Sequence, residues 1–144
     1  MRTLKSVLKT GAESGVFWLM SPAPKEEIAQ QATKIDAAYF HIEGKKLHSK
    51  TQFLNHVATA LSFPDYFDNN WDALEDSLTD FSWHDANGYI ILFDDADQLH
   101  QHAEHDFDTI LEIFRAATTY WQEQKKPFLV LLRGKPVGTI EQLS

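Results

Sequence analysis

The chain contains no cysteine, which excludes disulfides, thiolate zinc sites and a cysteine nucleophile together. No apolar run approaches the roughly 20 residues of a membrane-spanning helix. No glycine-rich phosphate loop follows any apolar stretch, and no internal repeat, low-complexity tract or linker divides the sequence. The most telling absence is of positive charge. Between Thr51 and Phe114 there is no Lys or Arg, although 14 of the 21 acidic residues lie there. The centre therefore carries −14 and the flanks +6, giving the net charge of −8. A surface so segregated repels nucleic acid and attracts a basic protein.

What is present fits one domain spanning 1–144, long enough to bury a core without staples. Residues 1–14 are polar and basic (Arg2, Lys5, Lys9) and are expected to be flexible in part. Gly11 to Gly15 interrupts any signal-peptide core, and Val16–Met20 is too short to form one, so a cytoplasmic protein is expected. Val16–Met20 reads as a strand, Pro24–Lys34 as a helix and Ala37–Ile42 as an aromatic strand closed by a turn at Gly44. Ser49 or Thr51 caps a helix whose apolar positions are Phe53, Leu54, Val57, Ala58 and Leu61. Gly88–Phe93 and Pro127–Leu132 are continuous apolar strands of the kind buried on both faces, separated by an amphipathic helix over Phe107–Trp121. Strands alternating with helices predict an α/β fold, a small three- or four-stranded parallel sheet flanked by helices.

The chain is organised around Phe63–Asp80, FPDYFDNNWDALEDSLTD. Pro64 and Asp65 have the character of a helix start. Phe67, Trp71, Leu74 and Leu78 then recur at helical spacing, while Asp68, Asp72, Glu75, Asp76, Thr79 and Asp80 collect on the opposite side. Asp68, Asp72, Asp76 and Asp80 stand four apart, so like charges are neighbours at roughly 0.2–0.5 kcal/mol per pair. Asp76 also opposes the helix dipole. Neither Asp72 nor Asp76 is expected to help the free protein fold. Two readings fit, a merely solvated surface and one shaped for a cationic partner; because a solvated face normally mixes signs, the second is preferred.

The segment resembles the barstar family of ribonuclease inhibitors in Phe63-Pro64-Asp65-Tyr66-Phe67, Asn70, Asp72-Ala73-Leu74, Asp76 and Leu78-Thr79. The order of elements from residue 37 to 133 agrees, including Gly44 and Phe114-Arg115, and Gly15–Lys34 is similar to the extra strand and helix of many barstar-like proteins. The resemblance implies a non-enzymatic inhibitor or immunity protein, monomeric when free, without cofactor or metal. Its partner would be a basic ribonuclease or ribonuclease toxin, not nucleic acid or membrane. It implies partner-binding roles for Tyr66, Asp68, Asn70, Asp72, Glu75, Asp76 and Thr79, with carboxylates occupying the place of RNA phosphates. Three positions depart from the family. Asp68 stands where glycine is usual, Glu75 where barstar has tryptophan, and Ala116 where barstar has a further acid.

A second reading is a small metal-dependent hydrolase centred on His100 to Asp108, where His100, His102 and His105 lie near several aspartates. The spacing matches no established hydrolase pattern. Trp71, on the apolar stripe, is read as a core residue more than an interface anchor. The charge map makes one prediction independent of these details. Association with a basic partner should slow steeply as salt rises, because steering is screened over about 8–10 Å. Stopped-flow rates that stay constant between low and high salt would remove the steering claim.

Overall fold

The protein is described by a computed structural model covering residues 1–9 and 13–144. In chain order its elements are α1 (Leu4–Lys9), β1 (Gly15–Leu19), α2 (Lys25–Lys34), β2 (Ala38–Glu43), α3 (Lys50–Ala60) and α4 (Trp71–Leu78), followed by β3 (Tyr89–Asp94), α5 (Asp97–His102), α6 (Glu104–Glu123), β4 (Phe128–Leu132) and β5 (Gln142–Leu143). The strands form one sheet in the order β2-β3-β4-β1-β5, with every neighbouring pair parallel.

The two continuous apolar runs take the central places. Tyr89–Phe93 and Phe128–Leu132 are buried throughout, so both faces of the sheet need cover. On one face Ile91, Phe93, Val130 and Leu132 join Phe53, Val57, Leu74, Leu78, Ile110 and Phe114 from α3, α4 and α6. On the other, Ile90, Leu92, Leu129 and Leu131 meet Leu4, Val7 and Leu8 of α1 and Ile28 and Ala32 of α2. Chain direction explains the division. The step from β1 to β2 runs across the sheet, whereas β2, β3 and β4 step back the other way. Crossovers of one hand moving in opposite directions place their helices on opposite faces.

The sheet has five strands rather than three or four. The additional β5 is two residues long and pairs with the end of β1, with Trp18 opposite Gln142 and Leu19 opposite Leu143. Two residues carry no readable period; the strand exists because Leu143 is fully buried against its neighbours. Two helices also escaped the sequence. α1 buries Leu4, Val7 and Leu8 despite its basic exterior, and α5 forms around buried Leu99 in a stretch where no helical period was read.

A polar network ties the carboxyl ends of the strands together. Arg133 donates from Nε to Asp94 Oδ1 at 2.6 Å and from Nη2 to Oδ2 at 3.2 Å, and its Nη1 reaches the carbonyls of Ser21 and Ala23. His41 Nε2 bonds the same carboxylate at 2.7 Å. Burial alone would push the Asp94 pKa up, but these hydrogen bonds and the guanidinium charge hold it below its usual value. Gly44 closes the turn beside this network, where a Cβ would collide with the carbonyl oxygens of Asp94 and Asp95.

Near the same edge, His56 of α3 accepts the Glu43 backbone N–H at 3.1 Å. Burial, and next the proximity of His41, lower its pKa below 6.5. The neutral ring is therefore the folded form. Its contribution is complete above the unfolded value near 6.5 and is lost as pH falls through the lowered folded value. Denaturant midpoints should consequently fall between pH 7.5 and pH 5, roughly the window in which histidine charges. His56→Gln, which keeps an acceptor but cannot titrate, should flatten that step. An equal fall in both proteins would show that His56 is not its source. Asp94 acts separately, losing its contribution only as pH drops below about 3.8.

Candidate functional site

The acidic helix is present but shorter than its apolar spacing predicts. α4 begins at Trp71, and Asn70 is its N-cap, with extended backbone (φ −136, ψ 170) and Oδ1 accepting the Ala73 N–H at 2.7 Å. Pro64 and Asp65 do not start the helix; residues 64–69 form a turn and loop. The physical reason is local. Asn69 sits in the left-handed region at φ 48, which breaks helical continuity just before a residue well suited to capping. Phe67 turns inward instead, its ring tilted against that of Phe63 with centroids 4.8 Å apart.

This changes how the charges are arranged. Asp68 is an exposed loop residue and not one helical turn from Asp72. Asp80 lies beyond the Thr79 C-cap and accepts from Ser82 Oγ at 3.2 Å. Only Asp72 and Asp76 remain a helical i, i+4 pair. Asp72 now belongs to the first turn, where a negative charge suits the dipole, whereas Asp76 stays near the unfavourable end. The expectation that neither acid helps folding is corrected for Asp72.

Leu74, Ser77 and Leu78 form the buried side of α4. Asp72, Glu75 and Asp76 are exposed on the other, beside exposed Asn70 and Asp68 and half-exposed Thr79. Tyr66 is 70% exposed, unusual for a large aromatic residue. The sequence-predicted residues Tyr66, Asp68, Asn70, Asp72, Glu75, Asp76 and Thr79 thus occupy one continuous stretch of loop and helix. Two of them spend hydrogen-bonding capacity internally. Asn70 Oδ1 caps the helix, and Thr79 Oγ1 donates to the Glu75 carbonyl at 2.9 Å. Among the described residues, the ion pairs involve other carboxylates: Glu13, Asp85, Asp94, Glu104 and Glu141. Among the described residues, the acids of α4 and its loop form no ion pair with an internal cation.

The surrounding supports were not legible in the sequence. Trp121 of α6 donates its buried indole N–H to the Leu78 carbonyl at 2.7 Å, satisfying an otherwise orphaned group at the end of α4. Trp71 is half-buried against the main core, and Lys50 Nζ lies 5.0 Å from its ring centroid. Asp68 does not have a positive φ, so a side chain at this glycine-favouring family position is accommodated without strain. The nearby left-handed residue is Asn69.

The histidine cluster disperses. His100 sets its ring edge against Phe107, 5.3 Å between centroids, and stands 3.6 Å from Glu104. His102 stacks on His48 at 3.8 Å and bonds the Gln98 carbonyl through Nδ1. His105 is exposed on the next helix. Among the described residues no group of three or more His, Cys, Asp or Glu side chains could hold a metal, so the convergent ligands required by the hydrolase reading are not assembled there. Among the described residues, no helix is long and apolar enough to cross a membrane.

The molecule is an all-parallel α/β protein with helices on both faces and uncompensated negative charge on one outer helix. The family model for Barstar (barnase inhibitor) matches residues 37–133, more than half of the chain, and the protein belongs to the barstar family. Members of that family are non-catalytic ribonuclease inhibitors. No curated protein matches the sequence.

The two helical acids should separate in a stability measurement. Asp76→Asn relieves both the unfavourable dipole position and the repulsion, and should raise stability by several tenths to about 1 kcal/mol. Asp72→Asn loses a favourable dipole contact of similar size, leaving a net change near zero or a small loss. Leu74→Ala, which empties a fully buried site, should cost about 2–5 kcal/mol. Urea midpoints check all three; equal shifts for the two Asn variants would refute the helix start placed at Asn70.

Proposed function

We propose that the protein blocks a basic ribonuclease by presenting α4 and the 64–70 loop to its active site, the carboxylates standing where RNA phosphates would bind. The observation that carries this reading is a set of exposed carboxylates without internal cations, borne by a barstar-family fold. Such groups are available for charge-assisted, often bidentate bonds from Arg and Lys. Asp68, Asp72, Glu75 and Asp76 would meet those cations. Tyr66 would pack against the enzyme. Asn70 would contribute its side-chain NH2, since its oxygen serves the cap, and Thr79 an oxygen lone pair, since its proton points inward.

The family match begins at residue 37, yet β1 lies between β4 and β5 in the sheet. The whole chain therefore acts as one folding unit, in the cytoplasm, against an intracellular ribonuclease or toxin.

The test is inhibition of a panel of basic ribonucleases, barnase included, by wild type and by Asp72→Ala and Asp76→Ala. Against the enzyme that is inhibited, either substitution should weaken binding by about 2–5 kcal/mol, because a buried cation on the enzyme loses its mate. Wild-type protein that leaves every enzyme active, or Asp76→Ala that inhibits as strongly as wild type, would overturn the reading.

A further inference from the structure

Residues 64–70 carry Tyr66 and Asp68 and lead into the cap of α4; Phe67 anchors them to the core through Phe63, but few hydrogen bonds hold them. Phe67 N–H bonds the Pro64 carbonyl within the loop at 3.0 Å, and Asn70 spends its side chain on the helix that follows. Among the described residues, the hydrogen bond that ties this loop to another element is made by Asn69, whose Nδ2 donates to Asn55 Oδ1 at 2.8 Å. Asn55 lies on the exposed side of α3, away from the buried Phe53, Leu54 and Val57. Asn69 is the residue held at φ 48. Asparagine tolerates that region better than most L-residues but does not prefer it, so a tether on its side chain adds to what keeps the backbone there.

We propose that Asn55 is a positioning residue for target binding, a role that rests on the inhibitor reading above. Its side-chain oxygen fixes Asn69 in the left-handed conformation and thereby sets where Asp68 and Tyr66 stand relative to Asp72. The chain bends at Asn69 and enters the extended Asn70. A change of φ at this one residue would swing the preceding Asp68 and Tyr66 as a unit. A loop already ordered in the free protein gives up less conformational freedom on binding, so the tether acts on affinity although Asn55 itself need not touch the enzyme.

The test uses the full chain and three substitutions. Asn55→Ala removes the acceptor, Asn55→Asp keeps one, and Asn69→Gly permits positive φ while deleting the donor. Asn55 is exposed, so the fold should persist, as an unchanged urea midpoint for the core would confirm. In the free protein, amide exchange at residues 66–70 should speed up in Asn55→Ala and return toward wild type in Asn55→Asp. Affinity for the inhibited panel enzyme should fall about 3–10-fold in Asn55→Ala, the range expected of one exposed hydrogen bond. Asn55→Ala placed on top of Asn69→Gly should cost nothing further. Unchanged exchange in Asn55→Ala overturns the proposal, as do loosened loops with undiminished affinity or fully additive losses in the double variant. Failure of the inhibitor reading looks different: wild type itself then inhibits none of the enzymes, and the positioning role falls with it.

Discussion

β3 and β4 are apolar on both faces and have to be covered on both. Most other features follow from that requirement. Helices must lie above and below the sheet, and a chain with one crossover hand achieves this only by reversing its direction across the strands. β1 therefore enters the sheet beyond β4, and α2 is delivered to the face opposite α3, α4 and α6. The buried side of α4 is fixed in turn by Leu74 and Leu78. Once these side chains are committed to the core, the carboxylates on the other side have no choice but to face outward.

The outward face is held by contacts that do not involve its charges. An asparagine caps the start of α4, a tryptophan from α6 satisfies a carbonyl at its end, and a lysine covers the ring of Trp71. None of these supports neutralises an acid of the helix. The contacts that hold α4 and the carboxylates it exposes therefore use different atoms of the same element, and among the described residues no ion pair offsets those carboxylates. Asp72 is a partial exception, because its place in the first turn gives it a small folding role as well.

The sequence revealed the architecture wherever a pattern was repeated often enough. β3 and β4 were legible as unbroken apolar runs, and α3 and α6 as amphipathic periods. It was misleading where a periodic pattern continued across a break. Phe67 is in step with Trp71 and Leu74, yet it packs on Phe63 from a loop because a single left-handed residue intervenes. Backbone sign at one asparagine leaves no trace in a hydrophobic period. β5 was too short to carry any period, and α1 is hidden by lysines that occupy only its outer side. The residues of the candidate site were legible as a group because their charge is concentrated; the partners that hold them are single long-range contacts, as between Trp121 and Leu78, which no spacing rule encodes.

The guanidinium of Arg133 occupies a particular place in this topology. In open parallel sheets, the gap outside the carboxyl ends of two neighbouring strands whose connections depart to opposite faces is the usual seat of a bound nucleotide or metabolite. Here that gap lies between β4 and β1. The chain leaving β4 runs along the face of α6, where Val137 and Ile140 pack, whereas the chain leaving β1 climbs to α2. Arg133 lies across it, bonded to Asp94 on one side and to the carbonyls of Ser21 and Ala23 on the other. The crevice that related architectures leave open for chemistry is sewn shut by the protein's own side chain. One guanidinium thereby joins the ends of β3, β4 and β1 at the place where the sheet divides.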